Sequence, residues 1–118
     1  MHQNWITIGA LSGFLGVALG AFGAHGLKEI ATPEQLAWWS TGVSYHLWHA
    51  LALILLGVLQ QQRKGGDAAG WMFAMGTAIF SGTLYAMALG APRWFGAITP
   101  LGGLLFLGAW LRLAWFGR

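Results

Sequence analysis

The polar positions of this chain cluster in a few places, and the stretches between them are apolar. Nine charged side chains, Lys28, Glu29, Glu34, Arg63, Lys64, Asp67, Arg93, Arg112 and Arg118, leave four uncharged runs over residues 1–27, 35–62, 68–92 and 94–111. An α-helix needs roughly 20 apolar residues to cross a hydrocarbon core ~30 Å thick. The first three runs exceed that length. The fourth reaches it once Arg112 snorkels from the last turn to the headgroups. The pattern predicts an all-α integral membrane four-helix bundle, a single transmembrane domain over residues 1–118, with helices at about 5–27, 40–62, 69–90 and 99–117. A cleavable signal peptide is not expected, because residues 1–4 carry no Lys or Arg and the first run is too long for a signal core.

Two Thr-Pro pairs mark helix starts. Thr32-Pro33-Glu34-Gln35 reads as a capping box, with Thr32 at the N-cap, Pro33 at N1 and Gln35 at N3. A helix from Pro33 to Gln62 would be ~45 Å long at 1.5 Å per residue. That overshoots the membrane, so a break near Gly42 is expected, leaving a short interfacial helix over residues 33–41 anchored by Trp38 and Trp39. Thr99-Pro100 repeats the pattern, and Thr99 is expected to cap the fourth helix, with residues 92–98 folded over the outer end of the bundle. A fourth helix that starts at Trp94 is the alternative.

Small residues predict where helices touch. Gly9, Gly13, Gly16, Gly20 and Gly23 step by four and three, which places them on one face of the first helix. In lipid, helix association rests on close van der Waals contact, which small residues permit. The stripe is either a seam with the other helices of the chain or a dimer seam. Gly82, with Ala86 and Gly90, suggests a second seam on the third helix, and Gly102 and Gly103 one on the fourth.

Within the spans the polar groups are few. His25 ends the first helix, His46 and His49 lie three apart on the second beside Tyr45, Ser81 and Tyr85 lie four apart on the third, and Thr99 opens the fourth. By the up-down topology these fall in the outer half of the bundle. Polar groups in lipid are costly and point inward, so a polar core is expected there above a more apolar, glycine-packed inner half. This set is the candidate polar core or ligand site. A hydrogen-bonded network that fixes helix register is one reading. A haem or quinone site is another, although i, i+3 histidines alone specify a ligand pair weakly. No metal site and no obligatory cofactor are expected. The spans contain no carboxylate, which argues against a small proton-coupled antiporter of the four-helix type.

Composition and charge sharpen the class. The chain is 57% hydrophobic and 8% charged, with mean hydropathy +0.61; a soluble domain carries about 25% charged residues. Six basic residues against three acidic ones are too few and too scattered for a nucleic-acid surface. Four of them, Arg63, Lys64, Arg112 and Arg118, fall on the side of the termini, and two, Lys28 and Arg93, on the other. The positive-inside rule gives N-in, C-in. The margin is two charges, and dual topology stays open. Trp5, Trp71, Trp110, Trp115 and Phe116 fall near the inner boundary and Trp38, Trp39, Trp94 and Phe95 near the outer one, as an aromatic belt requires, with Trp48 inside the second helix. Zero cysteines exclude disulfides and thiolate metal sites.

Four motifs carry a family resemblance: residues 20–27, GAFGAHGL; Tyr45 and His49 followed by Ala50-Leu51-Ala52-Leu53; residues 80–85, FSGTLY; and Thr99-Pro100-Leu101-Gly102-Gly103 with Phe106 and Trp110. In this order they resemble the YgdD/YwdK-like small membrane proteins, a family of unknown function. The resemblance implies a multi-pass protein of the bacterial inner membrane and supplies no activity. In the family pattern Tyr45 and His49 are firmer than His46, where Gln also occurs. Three functions follow as expectations: a non-enzymatic bundle that self-associates or joins a larger membrane complex; a transporter or channel for a small solute; and a haem- or quinone-binding protein.

Overall fold

A computed structural model describes residues 4–62 and 66–115. Four α-helices follow in order, α1 (Trp5–Ala24), α2 (Pro33–Gln62), α3 (Ala68–Ala88) and α4 (Thr99–Ala114), with 3-10 turns at Leu27–Glu29 and Arg93–Ala97. All four are long and apolar enough to cross a membrane when the flanking turns are included for α1 and α4. Arg63, Lys64, Phe116 and Arg118 lie outside the described residues.

The capping box forms in both directions. The Gln35 backbone N–H donates to Thr32 Oγ1 at 3.1 Å and the Thr32 N–H to Gln35 Oε1 at 2.9 Å. From there α2 runs unbroken for 30 residues, so the expected break at Gly42 is absent and residues 33–41 are the first turns of α2. The only short helix between α1 and α2 is the 3-10 turn Leu27–Glu29. Gly42 serves close approach instead of a hinge: a Cβ there would lie 2.8 Å from Tyr85 Cε1 of α3. At ~1.5 Å per residue, α2 matches the 47 Å long axis of the molecule. The first helix ends three residues earlier than expected, at Ala24. Residues 93–97 form their own turn, so α4 begins at Thr99 as expected; Ile98 is its N-cap, and no side chain caps it.

The helices pack as a zigzag: α1 on α2, α2 on α3, α3 on α4. The glycine stripe of α1 lies on α2 of the same chain. Gly9, Gly16 and Gly23 are buried; a Cβ at Gly9 would lie 2.7 Å from the Ala50 carbonyl oxygen, and one at Gly23 2.5 Å from Trp39 Cδ1. Gly102 brings α4 against α3, where a Cβ would stand 2.5 Å from the Phe80 nitrogen, while Gly103 is looser, with Phe80 Cδ2 at 3.9 Å. Gly82 does not pack: it is exposed, with nothing within 4 Å of its Cβ position.

Two apolar clusters form the interior. The inner one gathers Trp5, Ala52, Leu53, Leu56, Ala69, Phe73, Phe106 and Ala109, so aromatic rings as well as glycines fill the inner half. The outer one gathers Leu27, Trp39 and Ala88. Two tryptophans read as belt residues are therefore core residues. Trp5 is 1% exposed and donates from Nε1 to Asp67 Oδ1 at 2.9 Å; Trp39 donates to the Leu19 carbonyl at 2.8 Å. At the outer end Arg93 pairs with Glu34 and lies over the Trp38 ring, 5.5 Å from its centroid. That pair ties the Arg93–Ala97 turn to the start of α2.

Candidate functional site

Between the two apolar clusters lies the polar layer, built from α2 outward. Tyr85 of α3 reaches His46 of α2, with Oη 2.9 Å from Nδ1. Ser81 Oγ, 1% exposed, donates to the Gly42 carbonyl at 2.7 Å. Thr99 Oγ1 lies 2.6 Å from Thr83 Oγ1, which joins α4 to α3. Each contact is an interhelical hydrogen bond placed where lipid offers no alternative partner.

His49 faces elsewhere. Its Nδ1 lies 2.7 Å from the Tyr45 carbonyl, an acceptor only, so Nδ1 carries the proton. Nε2 then accepts from Trp110 Nε1–H of α4 at 3.1 Å. Both ring nitrogens are thus engaged. The ring stacks on Phe106 with centroids 3.6 Å apart and 8° between planes, and Phe73 lies 5.7 Å away.

The two histidines therefore look into different grooves. In the zigzag, α2 and α4 leave an open groove of 760 Å³ over α3, lined by Tyr45, Trp48, His49, Phe80, Pro100, Gly103, Leu104, Phe106, Leu107 and Trp110. A second groove, of 470 Å³, opens between α1 and α3 over α2, with His46, Ser81, Gly82 and Tyr85 in its wall. His46 and His49 do not form a ligand pair. Neither Ser81 nor Tyr85 partners His49. His25 joins neither groove; it is the exposed C-cap of α1. Among the described residues no three His, Asp or Glu side chains come together as a metal site would require.

The sequence pattern missed Trp110 as the partner of His49. Eleven residues past the start of α4, at 1.5 Å each, put it ~16 Å down the helix, about halfway through a ~30 Å core; that arithmetic would have removed it from the inner belt. Thr83 was missed too, although its spacing of two from Ser81 and Tyr85 puts it on another side of α3 and so toward a different helix. Trp48 is 56% exposed and stands in the wall of the larger groove.

Trp48 and Tyr45 have their rings 4.9 Å apart, and Tyr45 lies 4.5 Å from Phe80. Six aromatic or imidazole rings thus wall the larger groove. The Tyr45 hydroxyl has no hydrogen-bond partner among the described residues.

Residues 19–103 match the model of a family described as "Protein of unknown function (DUF423)". The chain is 41% identical over 112 residues to the UPF0382 membrane protein YwdK of Bacillus subtilis (strain 168), covering 92% of this chain and 91% of the relative. It is 40% identical over 111 residues to the UPF0382 inner membrane protein YgdD of Escherichia coli (strain K12), covering 89% and 82%. To a UPF0382 membrane protein of Staphylococcus haemolyticus (strain JCSC1435) the identity is 43% over 110 residues, 92% and 90% of the two chains. No solved structure matches. Four apolar helices and relatives named as membrane and inner-membrane proteins identify a multi-pass protein of the bacterial inner membrane. With the family model matched across most of its length, the chain belongs to the DUF423 family, whose function is unknown.

Proposed function

We propose that this protein is a non-enzymatic membrane bundle that holds a lipid-soluble molecule with a planar polar headgroup, of the quinone class, in the groove between α2 and α4. One observation carries the reading: a groove of 760 Å³ walled by aromatic rings includes Tyr45, whose hydroxyl has no hydrogen-bond partner among the described residues. Small-molecule sites are typically ~300–1,000 Å³, mostly apolar, with few polar groups. A planar ring would stack on the exposed face of Trp48, and a carbonyl at its edge would accept from Tyr45 Oη–H. The groove opens sideways, so such a molecule would enter from the bilayer. A haem ligand is a poorer fit, because His49 Nε2 already accepts from Trp110 and His46 lies in the other groove. The role assigned to the groove is holding, with no chemistry at the ring.

The test is saturable binding of a short-chain ubiquinone or menaquinone analogue to the purified protein in nanodiscs, read by native mass spectrometry. One molecule per chain is expected, with Tyr45→Phe weakening binding about tenfold, the loss of one ~1.4 kcal/mol hydrogen bond. No saturable binding, or equal binding by the variant, would overturn the reading. Self-association or entry into a larger membrane complex is the second reading. It is favoured by the open α1/α3 groove, where Gly82 meets nothing within 4 Å, and the same spectra report stoichiometry.

A further inference from the structure

We propose a second, independent site: a crevice at the outer end of α1 and α2 that binds the phosphate headgroup of an anionic phospholipid. The crevice has a volume of 340 Å³ and includes Gly20, Gly23, Lys28, Trp39, Ser40 and Ser44 in its lining. Ser40 and Ser44 are four apart on α2 and so share a face. Neither hydroxyl has a hydrogen-bond partner among the described residues, and Lys28 forms no ion pair there. The other charges at this end do not answer Lys28. Glu34 is taken by Arg93, and Glu29, next to Lys28 in the 3-10 turn, does not pair with it. One free ammonium and two free hydroxyls thus line one crevice. That is the donor set a phosphodiester accepts from, and a charge-assisted hydrogen bond is about twice as strong as a neutral one.

The rest of the crevice fits the remainder of the molecule. Gly20 lies one turn before the end of α1 at Ala24, ~6 Å deeper along the helix at 1.5 Å per residue, with Lys28 in the turn beyond that end. Between them the wall is glycine backbone, Val43 and the Trp39 ring. An acyl chain can lie along such a wall while the headgroup stays level with Lys28. The site needs no assumption about which side of the membrane this end faces.

The experiment uses the full chain in nanodiscs of phosphatidylcholine doped with phosphatidylglycerol, released into native mass spectrometry so that retained lipid is counted. Phosphatidylglycerol is expected to be enriched about tenfold over its share of the bilayer, and Lys28→Gln to abolish the enrichment while Lys28→Arg keeps most of it. The double variant Ser40→Ala/Ser44→Ala leaves the surface charge unchanged and is expected to lower the enrichment several-fold. A loss with Lys28→Gln but not with the serine variant would mean diffuse attraction only and would overturn the site. So would displacement of the retained lipid by soluble glycerol phosphate, which would show that the acyl chain plays no part. Equal retention of the two lipids by the parent protein would end the proposal outright.

Discussion

The seam between α1 and α2 permits a comparison in which the same substitution, in the same helix, has opposite signs. Gly→Ala in a helix interior raises stability by ~1 kcal/mol through backbone entropy and propensity. At Gly13 the new methyl would meet only Ala50 Cβ at 3.8 Å, an ordinary contact, so Gly13→Ala is expected to gain ~0.5–1 kcal/mol. At Gly9 it would stand 2.7 Å from the Ala50 carbonyl oxygen and 2.9 Å from the Ile54 nitrogen. Both are backbone atoms of α2 and cannot rotate away, so the helices must separate. Overpacking of this kind costs ~1–3 kcal/mol. Set against the propensity gain, Gly9→Ala should lose up to ~2 kcal/mol net, and because that gain is common to both variants they should differ by the overpacking cost itself, ~1–3 kcal/mol. Reversible unfolding in mixed micelles of mild detergent and SDS, followed by circular dichroism, measures the difference directly. If Gly9→Ala is as stable as Gly13→Ala, α1 does not rest on α2 through its stripe, and the fold's first seam is wrong.

Three further outcomes are expected. His49→Leu should destabilise by ~1–3 kcal/mol because it leaves the Trp110 indole N–H without its acceptor, while His49→Gln, which keeps a donor and an acceptor, should lose less; if both match the parent in the same unfolding assay, His49 makes no contact that matters to the bundle. Ser81→Ala, which removes a fully buried donor to the Gly42 carbonyl, should cost ~0.6 kcal/mol, the usual size of an interhelical hydrogen bond in lipid, and a cost above ~2 kcal/mol would mean that Ser81 does more than this one bond. Cysteines at Gly66, whose Cβ position is open, and at Glu29, in a chain with none of its own, should react with impermeant thiol reagents from opposite sides of the membrane, Gly66 from the cytoplasm; labelling of each from both sides would mean dual topology.

Helix number was legible because charge is nearly absent from the spans: a membrane helix announces itself by length alone. The capping box at Thr32 and Gln35 was legible for the same local reason. What the pattern could not give is which neighbour a face meets. Gly42 reads as a hinge in sequence, but the same missing side chain also lets Tyr85 approach, and only the neighbouring helix decides between the two uses. Gly82 and Gly16 look alike along the chain; one meets α2 and the other open space. Trp5 and Trp39 have the composition of belt residues, yet each finds an internal acceptor for its N–H, at Asp67 and at the Leu19 carbonyl. An indole so satisfied has no need of the headgroup layer.

The polar layer was foreseen as one cluster because His46 and His49 lie on nearly the same face of α2. In the zigzag α2 packs on α1 and α3 and is reached by α4 through side chains across the groove, so one helical turn is enough to send successive histidines to different partners. His46 joins α2 to α3 through Tyr85. His49 joins α2 to α4 through Trp110, across the mouth of the aromatic groove. The two histidines of α2 thus reach two different helices, His46 along the packed seam with α3 and His49 across the groove to α4. The groove by His49 is the one whose wall also carries an unpartnered hydroxyl. A ligand there would meet a wall held in place by the His49–Trp110 bond, so weakening that bond should loosen ligand and α4 together. Substitution at His46 should loosen α3 and leave the groove's contents in place.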